Sequence, residues 1–143
     1  EFPDMSIVAV EDGKGDVIVS RDAALAILDA HPDLKGIFNT DAAGGVGVAD
    51  AVRMRQRKHE VKGIAFDTDK GTLDLIRQGD IDATLAQGTW NMGYWSLVFL
   101  FHLHHGIVTP DSGQTADASP LPVYVDTGIS VVTRENVDNY YVK

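Results

Sequence analysis

The chain is expected to fold as an α/β domain, a mainly parallel sheet with helices on both faces. Short apolar runs alternate with longer amphipathic runs along most of its 143 residues, which is one ordinary domain's worth of chain. Strands that are short, apolar and each followed by a helix need crossover connections, and those place helices over both sides of a parallel sheet. Composition agrees, with 44% hydrophobic and 23% charged residues.

The elements follow in order. Residues 6–10, SIVAV, read as a first strand, and the loop Asp12-Gly13-Lys14-Gly15-Asp16 follows it. Ser20 is a candidate cap for a helix to about Ala30, with Ala24, Leu25, Ile27 and Leu28 on its inner face. His31-Pro32-Asp33 stops that helix, because the residue before proline leaves the helical region. Residues 36–39 are a second strand and 43–57 a second helix; 61–66 are a third strand and 70–78 a third helix that Gly79 ends. Residues 81–86 are a fourth strand, and 91–105 a fourth helix ended by Gly106. That helix is apolar around more than one face through Trp95, Leu97, Val98, Phe99, Leu100 and Phe101, as in a helix sunk in a core or set in an interface. A polar loop over 107–122 leads to an extended segment, 123–132, and a short helix capped by Thr133. The whole of 1–143 is read as a single domain, with 123–143 its terminal segment.

Several function classes fall away. A net charge of −9 has the wrong sign for a phosphate backbone, so nucleic-acid binding through the bulk surface is not expected. No cysteine is present for a disulfide, a thiolate nucleophile or a Cys-type zinc site. The most apolar stretch, 92–103, is too short to span a bilayer. The opening Glu1-Phe2-Pro3-Asp4 lacks the basic start of a leader, so an exported form would already have lost one.

Ligands of open parallel sheets sit beyond the carboxyl ends of the strands. Asn39-Thr40-Asp41 follows the second strand, Asp67-Thr68-Asp69 the third, and Gln87-Gly88-Thr89 the fourth. Such a set suits a hydroxyl-rich ligand, since a carboxylate accepts hydrogen bonds while an amide both donates and accepts. Helix capping is the other reading for Asp41 and Asp69. The run Asp67-Thr68-Asp69-Lys70-Gly71-Thr72 also looks like the DxDGT loop of haloacid-dehalogenase phosphatases, with Asp67 as nucleophile and magnesium as cofactor. Lys70, however, is inserted ahead of the Gly-Thr pair, and no further carboxylates for magnesium are evident. Gly45-Val46-Gly47 has Asp50 where a dinucleotide fingerprint needs its third glycine, and close helix packing explains the small residues better. His102, His104 and His105 sit where a helix dipole favours imidazoles, without a carboxylate to complete a metal set. Neither a metal nor a cofactor is expected.

Several segments together resemble the type I periplasmic binding proteins of sugar ABC transporters, the ribose-binding group. They are 31–41 (HPDLKGIFNTD), Gly63-Ile64-Ala65-Phe66-Asp67, 76–87 (IRQGDIDATLAQ), Trp90-Asn91-Met92-Gly93-Tyr94 and 126–138 (DTGISVVTRENVD). The resemblance implies a flavodoxin-like lobe that binds a monosaccharide without chemistry, in a cleft closed by a second lobe. It implies that Asp67 and Gln87 contact sugar hydroxyls, with Thr40, where relatives often carry asparagine, or Asp41 adding a third contact and Trp90 near the cleft. It further implies an ABC permease as partner and a periplasmic or extracellular location; a sugar-sensing receptor module is the other use of the same lobe. By this comparison the chain corresponds to the later lobe from its second strand onward. The gap between the first two strands seen here is then expected to be closed by rearrangement, by swapped pairing with another copy, or by a separate fragment, and the missing N-terminal lobe or a second copy, through a strand swap or a dimer, is the expected partner.

Overall fold

The computed structural model describes residues 3–107 and 120–141. Among these residues, four helices and four strands follow one another as α1 (Val17–Ala30), β1 (Gly36–Phe38), α2 (Gly44–Met54), β2 (Lys62–Phe66), α3 (Lys70–Gln78), β3 (Ala83–Gln87), α4 (Thr89–His104) and β4 (Ile129–Thr133). A 3-10 turn over Val137–Tyr140 comes last. The sheet has the order β1-β2-β3-β4. β1 pairs with β2 in parallel, Ile37 opposite Gly63, and β2 with β3 in parallel, Phe66 opposite Leu85. The expected α/β class with a mainly parallel sheet is what the chain forms. By its internal packing the chain divides into two compact units, Glu1–Ala86 with Val131–Lys143, and Gln87–Ser130.

In the first unit α1 begins earlier than Ser20. Asp16 caps it, its carboxylate accepting the amides of Ile18 at 2.8 Å and Val19 at 2.9 Å. The β-branched run Val17-Ile18-Val19 hides this helical start, since such residues favour strands. Ser20 is instead buried. Ala24 and Leu28 form the inner stripe, packing with Val48, Ala51, Val52 and Val61. Two glycines let α2 approach its neighbours closely. A Cβ on Gly45 would stand 2.6 Å from the Ala65 Cβ on β2, and one on Gly47 only 2.3 Å from the Val17 carbonyl oxygen of α1. The small residues of this stretch therefore serve packing against both the sheet and a helix.

A second cluster joins Ala49, Ala65, Leu73, Ile76, Ile81 and Ala86 to Val132 and Val137. Gly79 ends α3 in the left-handed region, φ 73°, as the sequence suggests. The terminal segment is fastened to α3 by side chains. The Tyr141 hydroxyl donates to Asp74 at 2.7 Å, Arg77 pairs with Asp138, and the Arg77 guanidinium lies 4.2 Å from the Tyr141 ring centre. Lys70 completes the group, 2.6 Å from Asp74.

Residues 6–10 are not a strand. They form no regular element, and Ile7 and Val10 are 87% and 84% exposed. Their alternating apolar side chains favour extended backbone, but a strand persists only where a neighbour takes up its amides and carbonyls. The terminal segment also differs from expectation: only Ile129–Thr133 of the extended stretch is strand, and Asn136 rather than Thr133 immediately precedes the final turn. Most of the 107–122 loop lies outside the described residues.

In the second unit, α4 carries no buried residue. Its half-buried positions are Val98, Phe99 and His102, while Trp90, Tyr94, Leu97 and Leu100 are exposed. No helix among the described residues is long and apolar enough to cross a membrane.

Candidate functional site

The carboxyl ends of β1 and β2 lie side by side in the first unit, and the residues that follow them were the candidates. After β1, Asn39 donates its amide hydrogen to the Ile64 carbonyl at 2.9 Å, which carries the pairing one residue past the strand. Thr40 is exposed. Asp41 is half-buried, and one of its carboxylate oxygens accepts the amides of Ala43 at 2.9 Å and Gly44 at 2.7 Å, the first turn of α2. Its other oxygen accepts the Asn39 side-chain amide at 3.1 Å, and the Asn39 oxygen accepts the Asp41 N–H at 3.2 Å. Of the two readings of Asp41, capping is therefore the job its carboxylate performs here, with Asn39 as its buttress.

After β2 stands Asp67, half-buried and with φ 64°, in the left-handed region that a non-glycine residue seldom enters. Strand β3 holds it by its backbone. The Asp67 N–H donates to the Leu85 carbonyl at 2.9 Å, and the Thr84 hydroxyl donates to the Asp67 carbonyl at 2.8 Å. Strain of this kind collects at ligand sites, where surrounding structure over-determines a costly backbone. Asp69 precedes α3 in the cap position, yet its side chain makes no capping bond. Capping by its carboxylate is thus not the role it plays.

Gln87, the last residue of β3, and Trp90 belong to the second unit. Gln87 is half-buried, whereas Trp90 is 82% exposed. Trp90 lines a shallow groove with Thr89, Gly93, Tyr94 and Leu97, nearly all of it apolar. Beneath the start of α4 the backbone is pinned, the Gly88 N–H donating to the Gly128 carbonyl at 3.0 Å and the Asn91 side chain to the Thr127 carbonyl at 3.0 Å. Gly88 is obligatory there, since a Cβ would fall 1.9 Å from the Thr127 oxygen.

Sequence reasoning missed Thr84, and it missed the hydrogen bonds through which Asn39 and Asn91 act. A buried threonine on an apolar strand looks like any β-branched core residue, and nothing in its neighbours announces that its hydroxyl reaches another strand's end.

The histidines at the end of α4 pack on one another and on Phe101, with ring centres of Phe101 and His105 at 4.3 Å and of His104 and His105 at 4.9 Å. Among the described residues no three His, Cys, Asp or Glu side chains are grouped to hold a metal.

The fold is thus an α/β lobe with a mainly parallel sheet, in which polar residues follow the strands and the backbone of one of them, Asp67, is left-handed. Residues 1–106 match the periplasmic binding protein domain family, and the chain belongs to that family. Over 99% of its length it resembles the arabinose binding protein AraP from Geobacillus stearothermophilus, at 56% identity and a TM-score of 0.82. A sugar-binding protein of a sugar ABC transporter from Bacillus halodurans matches the same share at 60% identity and a TM-score of 0.82. The D-ribose/D-allose-binding protein of Pseudomonas aeruginosa is 29% identical over 83 residues, 58% of this chain. The chain spans 48% of each of those two solved chains and 26% of the Pseudomonas protein. These relatives bind solutes and are not enzymes, so the likeness of Asp67-Thr68-Asp69 to a phosphatase loop carries no catalytic meaning.

Proposed function

We propose that this chain is one wall of a monosaccharide site in the substrate-binding component of a sugar ABC importer. The observation that carries the reading is Asp67, a carboxylate at the end of a central parallel strand whose backbone is held at φ 64°. A carboxylate so placed accepts hydrogen bonds from sugar hydroxyls, each charge-assisted bond contributing about 1.5–3 kcal/mol. Gln87 donates and accepts at the end of β3. Thr40, exposed beside the capping Asp41, offers a hydroxyl, and Trp90 offers an apolar face. Asp41 contributes chiefly by holding the start of α2, and no chemical step takes place.

The opposite wall comes from another lobe or a second copy of the chain, the permease is the downstream partner, and the protein works outside the cytoplasmic membrane. The relatives that bind ribose, allose and arabinose support the ligand class, and arabinose is the first ligand to try. Titration of the isotope-labelled chain with arabinose should shift the amide resonances around Asp67. Asp67→Asn, which keeps the shape and removes the charge, should weaken the response at least tenfold, a loss of about 1.4 kcal/mol. An unchanged response in that variant would remove Asp67 from the site.

A further inference from the structure

We infer that Thr84 is the positioning residue of this site: its hydroxyl holds Asp67 in the left-handed backbone conformation from which the carboxylate meets ligand. This rests on the reading of Asp67 as a ligand contact. A left-handed conformation costs a non-glycine residue about 1–2 kcal/mol, so something must hold it. Lys14 and Gln56 are also left-handed, but both are exposed and sit in turns closed by near neighbours. Their amides bond the Asp12 carboxylate and the Arg53 carbonyl, two and three residues away. Asp67 is fastened across strands instead. The pairing of β2 with β3 has Phe66 opposite Leu85, and the Asp67 N–H adds one more bond, to the Leu85 carbonyl. The Asp67 carbonyl is then taken by the hydroxyl of Thr84 at 2.8 Å.

Thr84 is fully buried on the inward face of β3, next but one to Ala86. Valine would fill that space with the same shape and equal liking for a strand. The hydroxyl is thus explained by the bond it makes. Because the donor is buried, water is poorly placed to substitute for it. With its N–H and its carbonyl both fixed to β3, the Asp67 backbone is set before ligand arrives, and that lowers the ordering cost of binding.

The test compares Thr84→Val and Thr84→Ser in the full 143-residue chain by NMR. In the unmodified protein Asp67 should give the strong intraresidue HN–Hα NOE of a positive φ. Thr84→Val should weaken that NOE and speed exchange of the Asp67 amide while the α1–α2 resonances stay in place; Thr84→Ser should restore both. Arabinose affinity should follow, falling about three- to tenfold in the valine variant, the worth of one neutral hydrogen bond, and recovering in the serine variant. An Asp67 NOE that is undiminished in Thr84→Val overturns the inference, whatever arabinose does. If the NOE responds as expected but arabinose never perturbs Asp67 in the unmodified chain, the sugar reading fails and Thr84's part in binding fails with it.

Discussion

At Asp67 the backbone is held at φ 64°, and the proposed sugar contact would give that strain a use. Its left-handed backbone costs about 1–2 kcal/mol against a relaxed one. Glycine has no such penalty, although its freer unfolded chain gives back about 0.5–1 kcal/mol. Asp67→Gly should therefore leave the fold intact and raise its stability by up to about 1 kcal/mol, read as a higher urea midpoint at constant slope. The same variant should lose its response to arabinose. A lower midpoint would mean that the carboxylate stabilises the loop by more than its backbone costs. That Asp67 stands at the carboxyl end of a parallel strand was legible in the sequence, because it directly follows an apolar run. Its conformation was not, since a positive φ at a non-glycine residue leaves no mark in composition or periodicity. Asp41 shows the opposite limit. A carboxylate two or three residues ahead of a helix reads equally well as cap or ligand, and only the bonds to Ala43 and Gly44 separate the two.

At the scale of elements, agreement was best where local chemistry decides the boundary. Helix α3 has the expected limits because an amphipathic run meets a left-handed Gly79 with room around it. Agreement failed where pairing is not local, as at residues 6–10, or where a β-branched run opens a helix, as at Val17. The contact of α1 with α2 is also a non-local matter, and Gly47 sets it. Gly47→Ala would bring a Cβ within 2.3 Å of the Val17 carbonyl and 2.7 Å of the Arg21 nitrogen, both backbone atoms that cannot turn aside. Overpacking of that kind costs about 1–3 kcal/mol, so thermal unfolding should shift down by several degrees, whereas Gly71→Ala, whose nearest atom is 3.7 Å away, should not. The latch between α3 and the terminal segment gives a pH signature. The Lys70 ammonium first, and the Tyr141 hydroxyl second, hold the Asp74 carboxyl below its ordinary value. A depressed carboxyl contributes stability above the ordinary value of about 3.9, which is lost as pH falls through the lowered one. Desolvation, followed by the bond to Asp74, holds the Tyr141 hydroxyl above its ordinary value, so its contribution is present below pH of about 10 and lost as pH rises past it. Urea midpoints measured against pH should fall at both ends, and Tyr141→Phe should flatten the alkaline limb; an unaltered alkaline limb in that variant would exclude the latch as its cause.

For the molecule as a whole, the proposed function turns on how much of a sugar one wall would hold. Parallel sheets are ordinarily covered on both faces, yet Phe38 and Ile64, which share one face of β1 and β2, are 55% and 39% exposed. Helix α4, without a charged residue from Thr89 to Leu103, is also largely uncovered. The class of the fold could be read from alternating runs, because they record burial strand by strand; what covers these surfaces could not, because that depends on groups far away or on another chain. Binding inherits the same dependence. The proposed contacts from Asp67, Gln87 and Thr40, two or three at about 1.5–3 kcal/mol for the charged one and 0.5–1.5 for each neutral one, would sum to roughly 2–6 kcal/mol. Association alone costs at least about 4 kcal/mol in lost freedom, and the outward side of the sugar stays wet, so no bond there repays desolvation. The surplus is at most a few kcal/mol, which corresponds to a dissociation constant of a millimolar or weaker, since about −4.1 kcal/mol marks 1 mM. Micromolar affinity, about −8.2 kcal/mol, requires the second wall to add a comparable set of contacts. Calorimetry on this chain alone should therefore show no saturation by arabinose at micromolar concentrations. A micromolar constant for the chain in its monomeric form would mean that the site is complete within these 143 residues and that the two-walled reading is wrong.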